Sequence, residues 1–287
     1  MMRVGRARLA AAVSEAGGLG ILGAGAWTGD ELRAQISQVR QLTDKPFGVN
    51  IPVSLLRSLE LADVVLERKV SVVTTSAGDP RRYTKALQRG GVFVIHVVPT
   101  VEHARKAQET GVDAIVAEGY ESGGFVNLEG VTTFVLVPQV IEAVQLPVIA
   151  AGGIGNGRGL AAAVALGAVG VQVGTRFLAS EESEVPPAYK HALLLARDTD
   201  TIVMRREKMA RRDLKDELLA RATLNLNTGG EKNETQSQLS GEKIWPTRSA
   251  GEVAGLIHEI LPVKEIMVRM IQEARDILKG LGDFLPE

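Results

Sequence analysis

Apolar positions along this chain gather into short unbroken runs. Seven of them, at residues 19–22, 47–51, 70–75, 92–98, 112–117, 147–151 and 169–173, are four to seven residues long and rich in valine, isoleucine and leucine. Runs of that length, apolar at consecutive positions, are the pattern of strands covered on both faces in a parallel sheet. Most are separated by amphipathic helical patterns, among them GDELRAQISQVRQL, RRYTKALQRG and VEHARKAQETG. From residue 47 onward the runs mostly begin 20 to 23 residues apart, the period of a repeating strand-and-helix unit, with one gap of 35.

The chain opens on a helix, RARLAAAVSEA at residues 6–16, ended by Gly17 and Gly18. Seven strands that start after a helix are one short of a closed barrel. The pattern therefore predicts an α/β fold, a TIM (β/α)8 barrel lacking its first strand, which would precede Met1, with a small C-terminal helical appendage. Residues 1–180 form the expected barrel core and 181–287 the expected lid or appendage. The long gap holds EGYESGGFVNLEGVTT, an enlarged loop at the C-terminal end of a strand, where barrels carry their chemistry.

Beyond Arg176 the pattern changes. FLASEESEVPPAYKHALLLA and MRREKMARRDLKDELLARA read as helical, with Pro186 and Pro187 as a break, and the polar NTGGEKNETQSQLSGEK reads as a mobile loop. The tail predicts a short helix, a break at Pro262 and a final amphipathic helix with Ile266, Met270, Ile271, Ile277 and Leu278 as its apolar contacts. A cap over the barrel mouth and a position along its side both satisfy that pattern.

Candidate chemistry concentrates between Leu146 and Arg176, in LPVIAAGGIGNGRGLAAAVALGAVGVQVGTR. Two strands flank a small-residue helix, and each strand ends in a glycine turn, Gly152-Gly153 and Gly174-Thr175. Such turns let backbone N–H groups approach an anion closely, and barrel phosphate sites are commonly built from the loops after strands seven and eight. The other strand ends predict a ring of polar groups at the same mouth: Asn50, Thr74 or Thr75, His96, Glu118 and Gln172. A flat heterocycle with a phosphate tail would satisfy many of them. His96 sits inside VFVIHVVP and reads either as a neutral core histidine or as a weak catalytic candidate. His103, His191 and His258 lie among charges and read as surface residues. The arginine pairs 81–82, 205–206 and 211–212 could meet a phosphate, although solvated helix faces explain them more simply.

Composition narrows the classes. Thirty-three basic and 34 acidic residues among 287 leave a net charge of -1, which gives no electrostatic case for nucleic acid or an anionic membrane. The absence of cysteine removes disulfides, iron–sulfur clusters and thiol nucleophiles. Leu9 to Val13 is too short a run for a signal peptide, and no run reaches the length of a membrane span, so a cytoplasmic protein is expected. No spacing suggests a metal site, and no serine motif suggests a triad.

Taken together, AAAVSEAGGLGILGAG, KPFGVNI, VVTTSAGDP, AEGYESGG, TTFVLVPQV, PVIAAGGIGNGRGLAAAVALGA and VQVGTRFLA resemble the nitronate monooxygenase family, formerly 2-nitropropane dioxygenases, which includes FMN-dependent enoyl-[acyl-carrier-protein] reductases. The resemblance runs from about residue 7 to 200 and returns at AGLI and PVKEI. It implies an FMN-binding TIM barrel. Asn50, Thr75 and Glu118 would lie near the flavin, Ser122, Gly123 and Gly124 would form the loop at its reactive face, and Gly152, Gly153, Gly174 and Thr175 would hold its phosphate with Gln172 beside them.

Three departures follow from the same resemblance. Members carry histidine after the paired glycines of the enlarged loop, where this chain has Phe125, which cannot move a proton. They also begin with a strand and a GGM-type loop, and MRREKMARRDLKDEL replaces a glycine-containing motif. The first implied function is reduction of a 2-enoyl thioester by NADH or NADPH through FMN. The alternatives are nitronate oxidation with dioxygen, which needs no base when the anion is preformed, and an impaired or non-catalytic homologue. A homodimer is expected from the resemblance alone.

Overall fold

A computed structural model describes residues 4–206, 209–228 and 248–281. Seven parallel strands form one curled sheet in the order β1 (Gly20–Gly23), β2 (Phe47–Pro52), β3 (Val72–Ser76), β4 (Phe93–Val98), β5 (Ala114–Glu118), β7 (Val148–Ala151) and β8 (Gly170–Gln172). Each coincides with one of the seven apolar runs to within two residues at either end. Helices α1 (Ala7–Glu15), α2 (Gly29–Leu42), α3 (Ser58–Glu67), α4 (Thr84–Arg89), α5 (Val101–Thr110), α6 (Thr133–Ala143) and α7 (Gly157–Ala165) accompany the strands. The architecture is a TIM barrel short of one strand, with β1 and β8 as the two edges of the sheet.

Parallel pairing sorts the side chains into two faces. One row, with Leu22, Val49, Ile51, Val73, Ile115 and Ala150 among its members, packs against the helices as the main core. Removing such side chains from water contributes roughly 1.5–3 kcal/mol apiece. The alternate positions face the barrel interior, where Ile95, Ala114, Val116 and Ala151 form a separate small cluster.

The C-terminal third departs from the helical pattern read in the sequence. After α8 (Thr175–Leu178) and α9 (Pro187–Leu195), residues of TIVMRR and MARRDL form strands β9 (Thr201–Arg206) and β10 (Met209–Leu214). They pair with each other antiparallel, and β10 pairs with β6 (Gly124–Val126), a short strand inside the enlarged loop. The arginine-rich residues 204–206 and 209–214 are therefore not helical: the free edge of β6 supplies backbone partners, and pairing overrides the local propensity. Only its continuation, α10 (Asp216–Thr228), is a helix. Most of NTGGEKNETQSQLSGEK, expected as a loop, lies outside the described residues.

The final helix α11 (Val263–Leu281) follows Pro262 as expected and lies along the side of the barrel against α7 and α1. Val263, Ile266, Met270 and Ala274 form its buried stripe. Ile271 and Leu278, expected as contacts, are exposed because the stripe follows the i, i+3, i+4 positions from Val263 instead. None of the described helices is long and apolar enough to cross a membrane.

Candidate functional site

Strand register decides which predicted residues share the mouth. Asn50 stands opposite Thr74, and Thr74 opposite Ile95, on the interior face. Glu118, Ala151 and Gln172 stand in one row across β5, β7 and β8 on the same face. Two strand spacings separate Glu118 from Gln172, roughly 10 Å. Asn50, Glu118 and Gln172 are all half-buried. Thr75 is the register partner of both Ile51 and His96, and all three stand in one row on the face turned to the helices.

That parity corrects the expected ring. Thr74, not Thr75, points inward, and His96 does not join the mouth. The His96 ring nitrogen Nδ1 lies 2.8 Å from the Thr75 hydroxyl in a buried pair. Burial, helped by the nearby His103, pushes its pKa down to about 4, with Asp79 and Thr75 pulling back. It is a neutral core histidine. His103 and His258 are exposed as expected, whereas His191 is half-buried.

Asn50 is held by its amide nitrogen, which donates to Thr74 Oγ1 at 3.0 Å and Thr74 O at 3.3 Å, with Ser76 Oγ at 3.4 Å. This arrangement uses the donors and leaves the carboxamide oxygen to accept. Burial pushes the Glu118 carboxyl up to about 7, with the positive charge of the chain's N-terminus and then the Ser122 hydroxyl pulling the other way. Of the described side chains, the Ser122 hydroxyl is the one that favours the ionised carboxylate. Ser122 Oγ is itself buried and, among the described residues, has no partner at full hydrogen-bond geometry. An unmade bond at a buried hydroxyl costs about 1–3 kcal/mol, which a polar ligand in the mouth would relieve.

The loop after β5 is tied down by residues the sequence reading did not single out. Glu121 accepts the Thr133 backbone N–H at 2.8 Å and its hydroxyl at 3.0 Å, anchoring the start of α6. The Thr133 hydroxyl also lies 3.1 Å from Ala151 O and 3.0 Å from Gly152 O, joining that loop to the glycine turn after β7. Gly152 has φ +96, and a Cβ there would stand 2.8 Å from Thr133 Oγ1 and 2.9 Å from Gly119 O. Glycine is required at 152 by the turn itself.

A second unforeseen element is the returning segment 248–256. A Cβ on Gly123 would meet the Ala250 carbonyl carbon at 2.5 Å, so the SGG glycines make room for this chain rather than for a ligand alone. Gly251 donates its N–H to Thr175 Oγ1 at 2.9 Å, which engages the hydroxyl expected at a phosphate. Gly174 precedes it at the start of α8, one strand over from Gly152 and Gly153.

Arg212 fastens the whole arm. Its buried guanidinium donates to Tyr120 O at 3.1 Å and Thr201 Oγ1 at 3.1 Å, pairs with Glu252 at 2.8 Å, and lies 5.0 Å from the Tyr120 ring centroid. Arg211 pairs with the buried Asp213 at 2.8 Å, and Arg81 is held by Asp79. Phe125 on β6 faces solvent, 47% exposed, as register partner of Arg211. A carboxylate twelve residues from its helix and an arginine ninety residues from its carbonyl leave no periodic signal; only the motifs AEGYESGG and TTFVLV marked the region.

A parallel barrel sheet with polar groups gathered at the carboxyl ends of its strands defines a TIM-barrel protein with its site at that end. The chain belongs to the nitronate monooxygenase family: residues 1–62 and 58–273 match the family profile. It is 42% identical over 199 residues to a (3aS,4S,5R,7aS)-5-hydroxy-7a-methyl-1-oxo-octahydro-1H-indene-4-carboxyl-CoA dehydrogenase of Rhodococcus jostii, covering 69% of this chain and 56% of the relative. The chain thus spans little more than half of that protein's length. A probable nitronate monooxygenase of Staphylococcus saprophyticus is 34% identical over 240 residues, 68% of each chain. Among solved structures, FabK from Thermotoga maritima superposes with a TM-score of 0.88 at 43% identity, over 99% of this chain and 94% of that one.

Proposed function

We propose that this chain is an FMN-dependent oxidoreductase that reduces a 2-enoyl thioester to the saturated thioester at the expense of NADH or NADPH and a proton. The observation that carries the reading is a mouth in which the Asn50 carboxamide oxygen and the buried Ser122 hydroxyl have no hydrogen-bond partner among the described residues, with the desolvated Glu118 carboxyl beside them. That donor and acceptor set suits the polar edge of a flavin. Asn50, Thr74, Glu118, Ser122 and Gln172 would hold the ring and its side chain. The turns at Gly152-Gly153 and Gly174-Thr175 would take the phosphate. When bound, the flavin would supply hydride transfer between nicotinamide and substrate.

The thioester assignment draws on similarity. The carboxyl-CoA dehydrogenase and FabK share 42% and 43% identity with this chain, against 34% for the probable nitronate monooxygenase. Nitronate oxidation is the second reading, and Phe125 favours it: a preformed nitronate anion needs no proton acceptor at the rim.

The test is the visible absorption spectrum of the purified protein, then anaerobic addition of NADH or NADPH, a 2-enoyl-CoA and a nitronate in separate experiments. Flavin bands bleached by the nicotinamide and restored by the enoyl thioester are expected. Bleaching by the nitronate alone would assign the second reading, and a protein that stays colourless with added FMN would overturn both, leaving a non-catalytic homologue.

A further inference from the structure

The interior face of the sheet carries one titratable side chain among its described strand positions. Apart from Glu118, those positions hold glycine, proline, aliphatic residues, Phe93, hydroxyls and amides. The charges nearest the mouth are already committed: Glu121 to Thr133, Asp79 to Arg81, Glu252 to Arg212. His96 faces the opposite side of the sheet, and Phe125 at the rim offers no proton. Glu118 is thus the group left to move one.

We infer that Glu118 is the acid/base of this site, its carboxyl giving its proton to the α-carbon of the enoyl thioester while hydride originating from the reduced nicotinamide adds to the β-carbon. The inference rests on the thioester reading above. The carboxyl O–H bond breaks, the α-carbon C–H bond forms, and the alkene π bond is consumed. Water at the open mouth returns a proton to the carboxylate, so that one hydride and one proton are taken up in each turnover. Burial raises the proton affinity of Glu118 towards neutrality, so that a sizeable fraction is neutral at pH 7. Of the groups acting on it, the positive charge of the chain's N-terminus and then the Ser122 hydroxyl favour the ionised form, and burial outweighs both; the described strands facing it carry no positive charge.

The test compares wild type with Glu118→Gln, each carrying FMN. With FMN saturating, the variant is expected to lose far more of its reoxidation than of its reduction: single-turnover reoxidation by crotonyl-CoA falls about 10²- to 10⁴-fold, against at most about tenfold for bleaching by nicotinamide. In wild type that step should slow about tenfold per pH unit above pH 7, a limb that Glu118→Gln lacks. Independently of activity, the infrared band of a protonated carboxyl in flavin-free wild type should disappear as pH rises through neutrality and be missing from the variant. Equal reoxidation rates, a variant that no longer binds FMN, or the absence of that band would each overturn the assignment. A wild type that is bleached by nicotinamide yet never reoxidised by any enoyl thioester would instead overturn the functional reading itself.

Discussion

The burial of Glu118 has a stability consequence that does not depend on catalysis. Its carboxyl titrates at about 7 in the folded chain against an ordinary 4.5. At about 1.36 kcal/mol per tenfold change in proton affinity, the ionised form costs the fold up to about 3 kcal/mol. Below about pH 4.5 both folded and unfolded chains are protonated and nothing is lost. As pH rises from 4.5 the unfolded chain releases its proton first, stability falls, and above about 7 the loss is complete. Glu118→Gln removes the titration. Urea unfolding of the flavin-free proteins should therefore show the variant gaining about 2–3 kcal/mol on wild type between pH 5 and pH 8.5. Any change in packing or hydrogen bonding from the amide is the same at both pH values and cancels in that difference. An offset that stays constant within about 0.5 kcal/mol across the two pH values would refute the claim that a desolvated carboxyl sits at this strand end.

Other expectations follow from the same geometry. Phe125→His should raise turnover of neutral nitroalkanes by roughly tenfold or more, read by steady-state oxygen uptake; unchanged rates with FMN bound would remove Phe125 from the proton-transfer position. Gly174→Asp should abolish FMN retention by placing a carboxylate at the phosphate turn, and a variant that stays yellow after gel filtration would sink that turn as the phosphate site. Thr133→Val deletes the hydroxyl between Glu121 and the Gly152 turn; it should lower stability by about 1–2 kcal/mol and weaken FMN binding more than it slows any chemical step. Arg212→Ala strands Glu252 and Tyr120 O; a loss of about 3–5 kcal/mol in denaturant unfolding is expected, and one under 1 kcal/mol would show the arm is held by other contacts.

Strand number, order of elements and the place of the enlarged loop were legible in the sequence because they are local properties. A buried parallel strand writes itself as four to seven consecutive apolar residues, and a repeating unit as a constant spacing. The glycine turns at 152–153 and 174 were legible for the same reason. Inward and outward positions were not, since a strand apolar on both faces carries no alternation to read. Whether Thr74 or Thr75 meets the mouth, and whether His96 does, depended on register with β2 and β4. The hairpin of β9 and β10 was hidden by helix-forming residues, because its partner strand β6 lies some eighty residues earlier. Likewise, only the folded chain brings Ala250 and Gly251 against Gly123 and Thr175, and desolvates the Glu118 carboxyl beside Ser122. Local patterning determined the scaffold, whereas long-range pairing decided which of its polar residues face the site.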